Sequence, residues 1–146
     1  MDELKPYVIA IDHVGIAVPD MDEAISFYRD VLGLELYHEE INEAQGVREA
    51  MMRPAGGAPG GTAVQLLAAL SPDSTIGKFL DRKGPGVQQV AYRVTDVDAA
   101  TDALRAKGLR VMYDKAVTGT SNSRVNFVHP KSTGGVLIEL VEPSAE

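Results

Sequence analysis

Four polar residues stand inside apolar segments of the chain, where a polar side chain needs a specific reason to be present. They are His13, Gln65, Gln89 and Glu139. A polar group buried in an apolar strand is costly unless hydrogen bonds or a ligand satisfy it. One imidazole, two amide oxygens and one carboxylate form a donor set that suits a divalent cation. We therefore predict that these residues bind a metal ion, with positions left for water or substrate.

An internal repeat relates the four positions in pairs. The residues that follow His13, from 14 to 29, recur in part after Gln89, from 90 to 105, at an offset of 76 positions. The short apolar segments around the other two polar residues match each other as well. A repeat of this length indicates a duplicated module and not a solenoid. Inward-pointing polar residues at equivalent places would then converge around a pseudo-twofold axis.

The alternation of apolar and polar residues predicts the same element order in both halves. Strands are predicted at 8–18, 34–39, 47–52, 62–67, 90–94, 109–113, 125–129 and 136–142. Acidic N-caps predict helices after Asp20 and Asp96, and a shorter helix opens near Ser71. The polar segment 117–123 is predicted to be a loop, and His38 is expected to be exposed.

The predicted fold class is α+β, with two tandem βαβββ modules whose curved mixed sheets enclose a metal-binding cleft. We expect one domain in which the first module spans 8–67 and the second spans 87–142. The segment 68–86 is expected to be a linker that carries the short helix.

Composition narrows the class of function. The 146 residues carry 14 Lys and Arg against 21 Asp and Glu, a net charge of -7, which argues against a nucleic-acid partner. There is no cysteine, so there is no disulfide framework or thiolate metal site. No segment approaches about 18 consecutive apolar residues, so no membrane partner is expected. The acidic start does not resemble a signal peptide, and the expected localisation is cytoplasmic.

Three segments resemble a known family. Residues 11–18 read IDHVGIAV, residues 42–50 read NEAQGVREA and residues 129–142 read HPKSTGGVLIELVE. With the paired modules, they resemble the vicinal oxygen chelate superfamily, which includes glyoxalase I, extradiol dioxygenases and bleomycin-resistance proteins. They are most similar to the methylmalonyl-CoA epimerase family, and the resemblance covers nearly the whole chain.

The resemblance implies a metal-dependent isomerase that interconverts (2R)- and (2S)-methylmalonyl-CoA. It places the metal ligands at His13, Gln65, Gln89 and Glu139, with Co²⁺ expected first and Mn²⁺, Ni²⁺, Zn²⁺ or Mg²⁺ as alternatives. The family usually has a histidine where this chain has Gln89. The proton-transfer carboxylate falls on Glu49. An acyl-CoA substrate and a homodimer are also implied.

Two carboxyl groups fit the reaction that the resemblance implies. Loss of the C2 proton leaves an enolate, whose oxygen a metal stabilises as a Lewis acid. Inversion requires an acid on the opposite face, and carboxyl groups in different environments can divide these roles. Glu49 is the first candidate, provided that it faces inward together with Val47 and Met51, and Glu139 is the second.

The end of the chain offers candidates for substrate binding. Arg124 and the hairpin residues His129, Lys131 and Ser132 are placed to contact the substrate carboxylate or the CoA phosphates. A well-capped turn is an equally good explanation of the hairpin residues.

Two alternatives of different class remain. One is a glyoxalase-type metal lyase, although glyoxalases usually have a glutamate where this chain has Gln65. The other is a metal-free binding protein of the same fold, which Gln89 favours and Glu49 disfavours. An extradiol dioxygenase fits less well, because its iron triad needs a second histidine.

Overall fold

A computed structural model describes residues 7–57 and 60–145 of the chain. The chain divides into two compact units. One comprises His13 to Gln88, and the other joins the chain up to Asp12 to the segment from Gln89 onward. The fold class is α+β, as predicted from the sequence.

The described residues of the first half of the chain form four strands and two helices. They are β1 (Val8–Ala17), α1 (Met21–Asp30), β2 (Leu34–Asn42), β3 (Val47–Pro54), β4 (Ala63–Ala69) and α2 (Thr75–Lys83). The strand order is β2-β3-β4-β1, with β1 parallel to β4 and the other neighbours antiparallel. The carboxylate of Asp20 caps α1 as predicted, since it accepts a hydrogen bond of 3.0 Å from the backbone of Glu23.

The two faces of this sheet are buried against different helices. On one face Met52 and Leu66 pack with Ile25 of α1. On the opposite face Leu67 packs with Ile76 of α2. The short helix expected in the linker therefore belongs to the apolar core of the first unit.

The second half repeats the order strand, helix and three strands. Its elements are β5 (Gly86–Val94), α3 (Val97–Ala106), β6 (Val117–Thr118), β7 (Arg124–Val128) and β8 (Leu137–Glu142). The strand order is β5-β8-β7-β6, with β5 parallel to β8. In the first half of the chain the corresponding order is β1-β4-β3-β2, with β1 parallel to β4. The first and last strands of each module are therefore parallel neighbours, and the two sheets have equivalent topologies.

The predicted strand at 109–113 is wrong. The segment reaches β7 through one isolated bridge, between Val111 and Val128. The Asn126 side chain accepts a hydrogen bond from the backbone N–H of Tyr113 (3.1 Å) and donates one to its carbonyl (3.0 Å). Because the Asn126 side chain binds the N–H and carbonyl groups of Tyr113, those groups cannot pair with a neighbouring strand. The backbone pairing with β7 therefore does not continue to Tyr113.

The predicted loop at 117–123 is partly wrong. Val117 and Thr118 form the short strand β6 against β7, and a turn of 3-10 helix follows at Thr120–Asn122. A strand of two residues is too short to show an alternation of apolar and polar side chains. For this reason β6 could not be predicted from the sequence pattern.

Asn126 is expected to be a major contributor to the stability of the second unit. It is almost fully buried and also accepts a hydrogen bond from the backbone of Phe127. Substitution N126A removes three hydrogen bonds to partly buried backbone groups, which should lower the free energy of unfolding by about 2–3 kcal/mol. Urea denaturation measures this, and a change below about 0.5 kcal/mol would show that water replaces the side chain.

None of the helices in the described part of the chain is long and apolar enough to cross a membrane.

Candidate functional site

His13, Gln65 and Glu49 share one face of the first sheet. Gln65 of β4 lies opposite Gly15 of β1, and Gly15 is two positions after His13 in the same strand. On its other side Gln65 lies opposite Met51 of β3, and Met51 is two positions after Glu49. Residues opposite each other or two apart point to the same side of a sheet. The three polar residues therefore follow a diagonal across β1, β4 and β3. Diagonal neighbours are about 7–8 Å apart, within reach of long side chains.

All three side chains are buried. His13 and Gln65 are 3% exposed, and Glu49 is 8% exposed. Val47, Glu49 and Met51 share this face of β3 and are all buried, as are Ala50 and Met52 on the opposite face. A carboxylate seldom occupies such a position without a specific partner or a function.

Gln89 and Glu139 share one face of the second sheet. Glu139 lies opposite Ala91, two positions after Gln89. The amide nitrogen Nε2 of Gln89 donates a hydrogen bond of 3.2 Å to Oε1 of Glu139, and the two residues are 4% and 7% exposed. This bond sets the orientation of the amide group, with its oxygen directed away from the carboxylate.

The two modules differ at the position of Glu49. In the first sheet Glu49 lies opposite Leu67, two positions after Gln65. The corresponding place in the second sheet, opposite Val141, is taken by Val125. The third strand of the repeat therefore supplies a carboxylate in one module and an apolar side chain in the other. Any acid or base chemistry at these sites is asymmetric.

An ion pair that was not predicted from the sequence lies next to His13. Nε of Arg93 donates to Oδ1 of Asp12 at 2.7 Å, and both side chains are largely buried. The pair fastens the residue before His13 to β5. The sequence feature that could have indicated this pair is the presence of one acidic and one basic residue, Asp12 and Arg93, in two otherwise apolar strands.

A second pair that was not predicted from the sequence lies on β2. Nε2 of His38 lies 2.7 Å from Oε1 of Glu40, and their side chains are 35% and 29% exposed. His38 is therefore half-buried and partnered, in contrast to the expectation that it is exposed.

Arg124 does not lie on the face of Glu139. Its guanidinium donates to both carboxylate oxygens of Asp98, at 3.0 and 2.9 Å, and approaches Glu142. In β7, Arg124 alternates with Val125, which lies on the side of Glu139. We therefore leave Arg124 out of the proposed site.

The hairpin residues cap a turn of 3-10 helix at Pro130–Ser132. Nδ1 of His129 accepts a hydrogen bond of 3.0 Å from the backbone of Lys131, and Oγ of Ser132 accepts one from the backbone of Arg110. Partial desolvation, followed by the charges of Arg110 and Lys131, lowers the pKa of His129. A lowered pKa favours the neutral imidazole, which is the form that can accept the capping bond.

The donor set predicted from the sequence contains one histidine and one glutamate. Within residues 7–57 and 60–145, no three His, Cys, Asp or Glu side chains are grouped so as to hold a metal ion. A metal site in this part of the chain therefore depends on donors of another kind, such as the two glutamine amides.

Comparison with known proteins defines the class to which this fold and these residues belong. The model of the glyoxalase/bleomycin resistance protein/dioxygenase superfamily matches residues 12–127. A crystal structure of methylmalonyl-CoA epimerase from Mycobacterium tuberculosis is 55% identical with a TM-score of 0.88, over 94% of this chain and 89% of that one.

Two further relatives point to the same group. A variant of the Streptomyces coelicolor methylmalonyl-CoA epimerase, solved in complex with 2-nitronate-propionyl-CoA, is 45% identical with a TM-score of 0.90, over 94% of this chain and 99% of that one. The ethylmalonyl-CoA/methylmalonyl-CoA epimerase of Cereibacter sphaeroides is 33% identical, over 89% of this chain and 95% of that protein. The chain belongs to the methylmalonyl-CoA epimerase family of this superfamily.

Proposed function

We propose that this protein is an isomerase that interconverts (2R)- and (2S)-methylmalonyl-CoA by removing and returning the C2 proton. The observation that carries the proposal is Glu49, a buried carboxylate on the same sheet face as His13 and Gln65. The names of the relatives support the substrate, as does the acyl-CoA analogue bound to the Streptomyces coelicolor enzyme.

Glu49 is proposed as the base for one face of the substrate. The C2–H bond lies between a thioester carbonyl and a carboxylate, so its cleavage leaves an enolate. Glu49 takes the proton and becomes a carboxylic acid, while the electron pair of the C–H bond moves into the enolate. The proton that completes inversion arrives at C2 from the other face.

Glu139 is proposed as the acid for that other face. Val125 occupies the place in the second module that Glu49 occupies in the first, so the repeat does not supply a second carboxylate there. Glu139 is the buried carboxylate on that sheet face, and the hydrogen bond from Gln89 holds it in place. Two carboxyl groups in different surroundings can then act as base and acid.

A divalent cation is proposed to be held by His13, Gln65, Gln89 and Glu139. The residues fit such an ion, because all four are buried polar groups and their donors are an imidazole, two amides and a carboxylate. Co²⁺ is the first candidate, with Mn²⁺, Ni²⁺, Zn²⁺ and Mg²⁺ as alternatives. When bound, the cation supplies Lewis-acid stabilisation of negative charge on the enolate oxygen.

Gln89 occupies the position where the family usually has histidine. An imidazole binds borderline divalent cations more tightly than a neutral amide does, so Q89H should strengthen Co²⁺ binding by roughly tenfold. Isothermal titration measures the affinity. Gln88, the preceding residue and less deeply buried, supplies the control Q88H, which should leave the affinity unchanged. Equal affinities for wild type and Q89H would mean that residue 89 does not contact the metal.

Proton exchange at C2 tests the proposed function directly. Methylmalonyl-CoA incubated with the protein and Co²⁺ in D₂O should gain deuterium at C2, which mass spectrometry detects. Absence of exchange with each of the candidate metals would contradict the proposal. A glyoxalase-type lyase would instead convert a hemithioacetal of glutathione, and a metal-free binding protein would bind acyl-CoA without exchange. Parallel exchange with ethylmalonyl-CoA measures the preference for the acyl chain.

We also propose a homodimer, as the family resemblance implies. Ile9 and Ile11 of β1 are 60% and 47% exposed, an unusual extent for isoleucines in a strand. Sedimentation velocity measures the mass of the particle in solution. The cytoplasmic location expected from the sequence stays a prediction, which cell fractionation would test.

A further inference from the structure

A β-bulge in β2 turns two titratable residues toward the face of Glu49. Leu36 lies opposite Met52, but His38 lies opposite Met51, so Tyr37 is an extra residue in the strand. Without the bulge, His38 would point to the same side as Leu36, since side chains alternate with a period of two. The extra residue reverses the side, as bulges near active sites commonly do.

After the bulge, Glu40 lies directly opposite Glu49 in the antiparallel pair β2–β3. Directly opposite residues have Cβ atoms about 4.5–5.5 Å apart and point to the same side of the sheet. Two facing carboxyl groups at this spacing can exchange a proton. On its other side, Glu40 Oε1 lies 2.7 Å from Nε2 of His38.

Exposure rises along this row of three residues. Glu49 is buried, whereas the side chains of Glu40 and His38 are partly exposed, and β2 is the end strand of its sheet. The row therefore runs from the proposed base to solvent.

An epimerase that uses two groups must restore their protons after every turnover. In one direction, Glu49 gains the proton taken from C2, and the acid on the other face loses the proton that it gives. When the product has left, Glu49 is protonated and the other acid is deprotonated. These are the wrong protonation states for another turnover in the same direction. A proton must pass from Glu49 to water before the next substrate molecule can react.

We propose that Glu40 and His38 form the relay that carries this proton from Glu49 to solvent. The O–H bond of the protonated Glu49 breaks as one forms on the Glu40 carboxylate. Glu40 then passes the proton to Nε2 of His38, in the tautomer that carries its own proton on Nδ1, and the imidazolium gives up that Nδ1 proton to water or buffer. Exchange with solvent then moves the proton left on Nε2 back to Nδ1, which resets the relay. Each step moves one proton, and solvent is the final acceptor. The relay rests on the proposed function, because it serves the base of that reaction.

The substitutions H38Q and E40Q test the relay with little change in shape. Glutamine at position 38 can still form a hydrogen bond with Glu40, but it cannot carry a proton onward. Restoration takes place after the product leaves, so slowing it should lower kcat roughly tenfold or more while kcat/KM stays unchanged. Imidazole added to H38Q should restore kcat, because a free base can accept the proton from Glu40.

The matched control is E39Q, on the same strand. Glu39 pairs with Arg48 on the side of α1, opposite Ala50. This variant should retain the wild-type kcat and KM, and imidazole should have no effect on it.

Several outcomes would overturn the relay. An unchanged kcat in H38Q and E40Q would show that the proton leaves by another route. A parallel loss of kcat and kcat/KM that imidazole does not restore would indicate a purely structural role, or an influence on the basicity of Glu49. The failure of the proposed function has a different signature, because wild type and E39Q would then also fail to exchange the C2 proton.

Discussion

Substitution E49Q is expected to abolish nearly all epimerisation, with kcat lower by about 10²–10⁴-fold, the usual contribution of a general base. Glutamine has the size of glutamate but cannot accept the C2 proton. The side chain is buried on the sheet face that also carries His13 and Gln65. A coupled assay of (2R)- to (2S)-methylmalonyl-CoA conversion measures the loss.

Two controls separate a chemical effect from a structural one. The metal content of E49Q should equal that of wild type, because residue 49 is not among the proposed ligands. E39Q, on the side of β2 that faces α1, removes a carboxylate of the same kind and should retain full activity. An active E49Q enzyme would mean that another group removes the C2 proton.

Substitution E139Q has the second largest expected effect, because Glu139 is proposed both as a metal ligand and as the acid for the other face. Loss of the carboxylate should weaken Co²⁺ binding by roughly 10- to 100-fold or more. Epimerisation should remain well below wild type even at saturating metal, since the proton donor is also missing. Metal titration and the epimerisation assay, run on the same preparation, separate the two losses.

Glu142 provides the matched control on the same strand. Its Oε1 accepts a hydrogen bond of 2.9 Å from the backbone of Val97 at the start of α3, and it lies opposite Arg124. E142Q should therefore lower stability by about 1 kcal/mol through the helix terminus and leave metal affinity unchanged. Tight Co²⁺ binding by E139Q would remove Glu139 from the ligand set.

The sequence by itself determined the class of the protein and most of its elements. The repeat links segments 14–29 and 90–105, and the helix caps at Asp20 and Asp96 lie where the sequence predicts them. These features are local, because capping and side-chain alternation depend on residues close together in the chain. The burial of Glu49 did not follow from local pattern in the same way, because alternation alone fits a solvated strand charge equally well and only the family resemblance favoured an inward position.

Only the tertiary structure decided which residues accompany Glu49. The bulge at Tyr37 breaks the alternation of β2, so no count along the sequence places His38 and Glu40 on the side of Glu49. The register between β2 and β3, which sets Glu40 opposite Glu49, depends on the pairing of backbones that lie apart in the chain.

The absence of a strand at 109–113 has a related cause. The segment alternates well enough to predict a strand, but the Asn126 side chain takes both backbone groups of Tyr113. The local sequence pattern determines which secondary structures a segment can adopt. The groups that bind its backbone in the folded chain determine which of them it does adopt. The residue types of the proposed site could therefore be found in the sequence, whereas the row that connects its base to solvent required the paired strands.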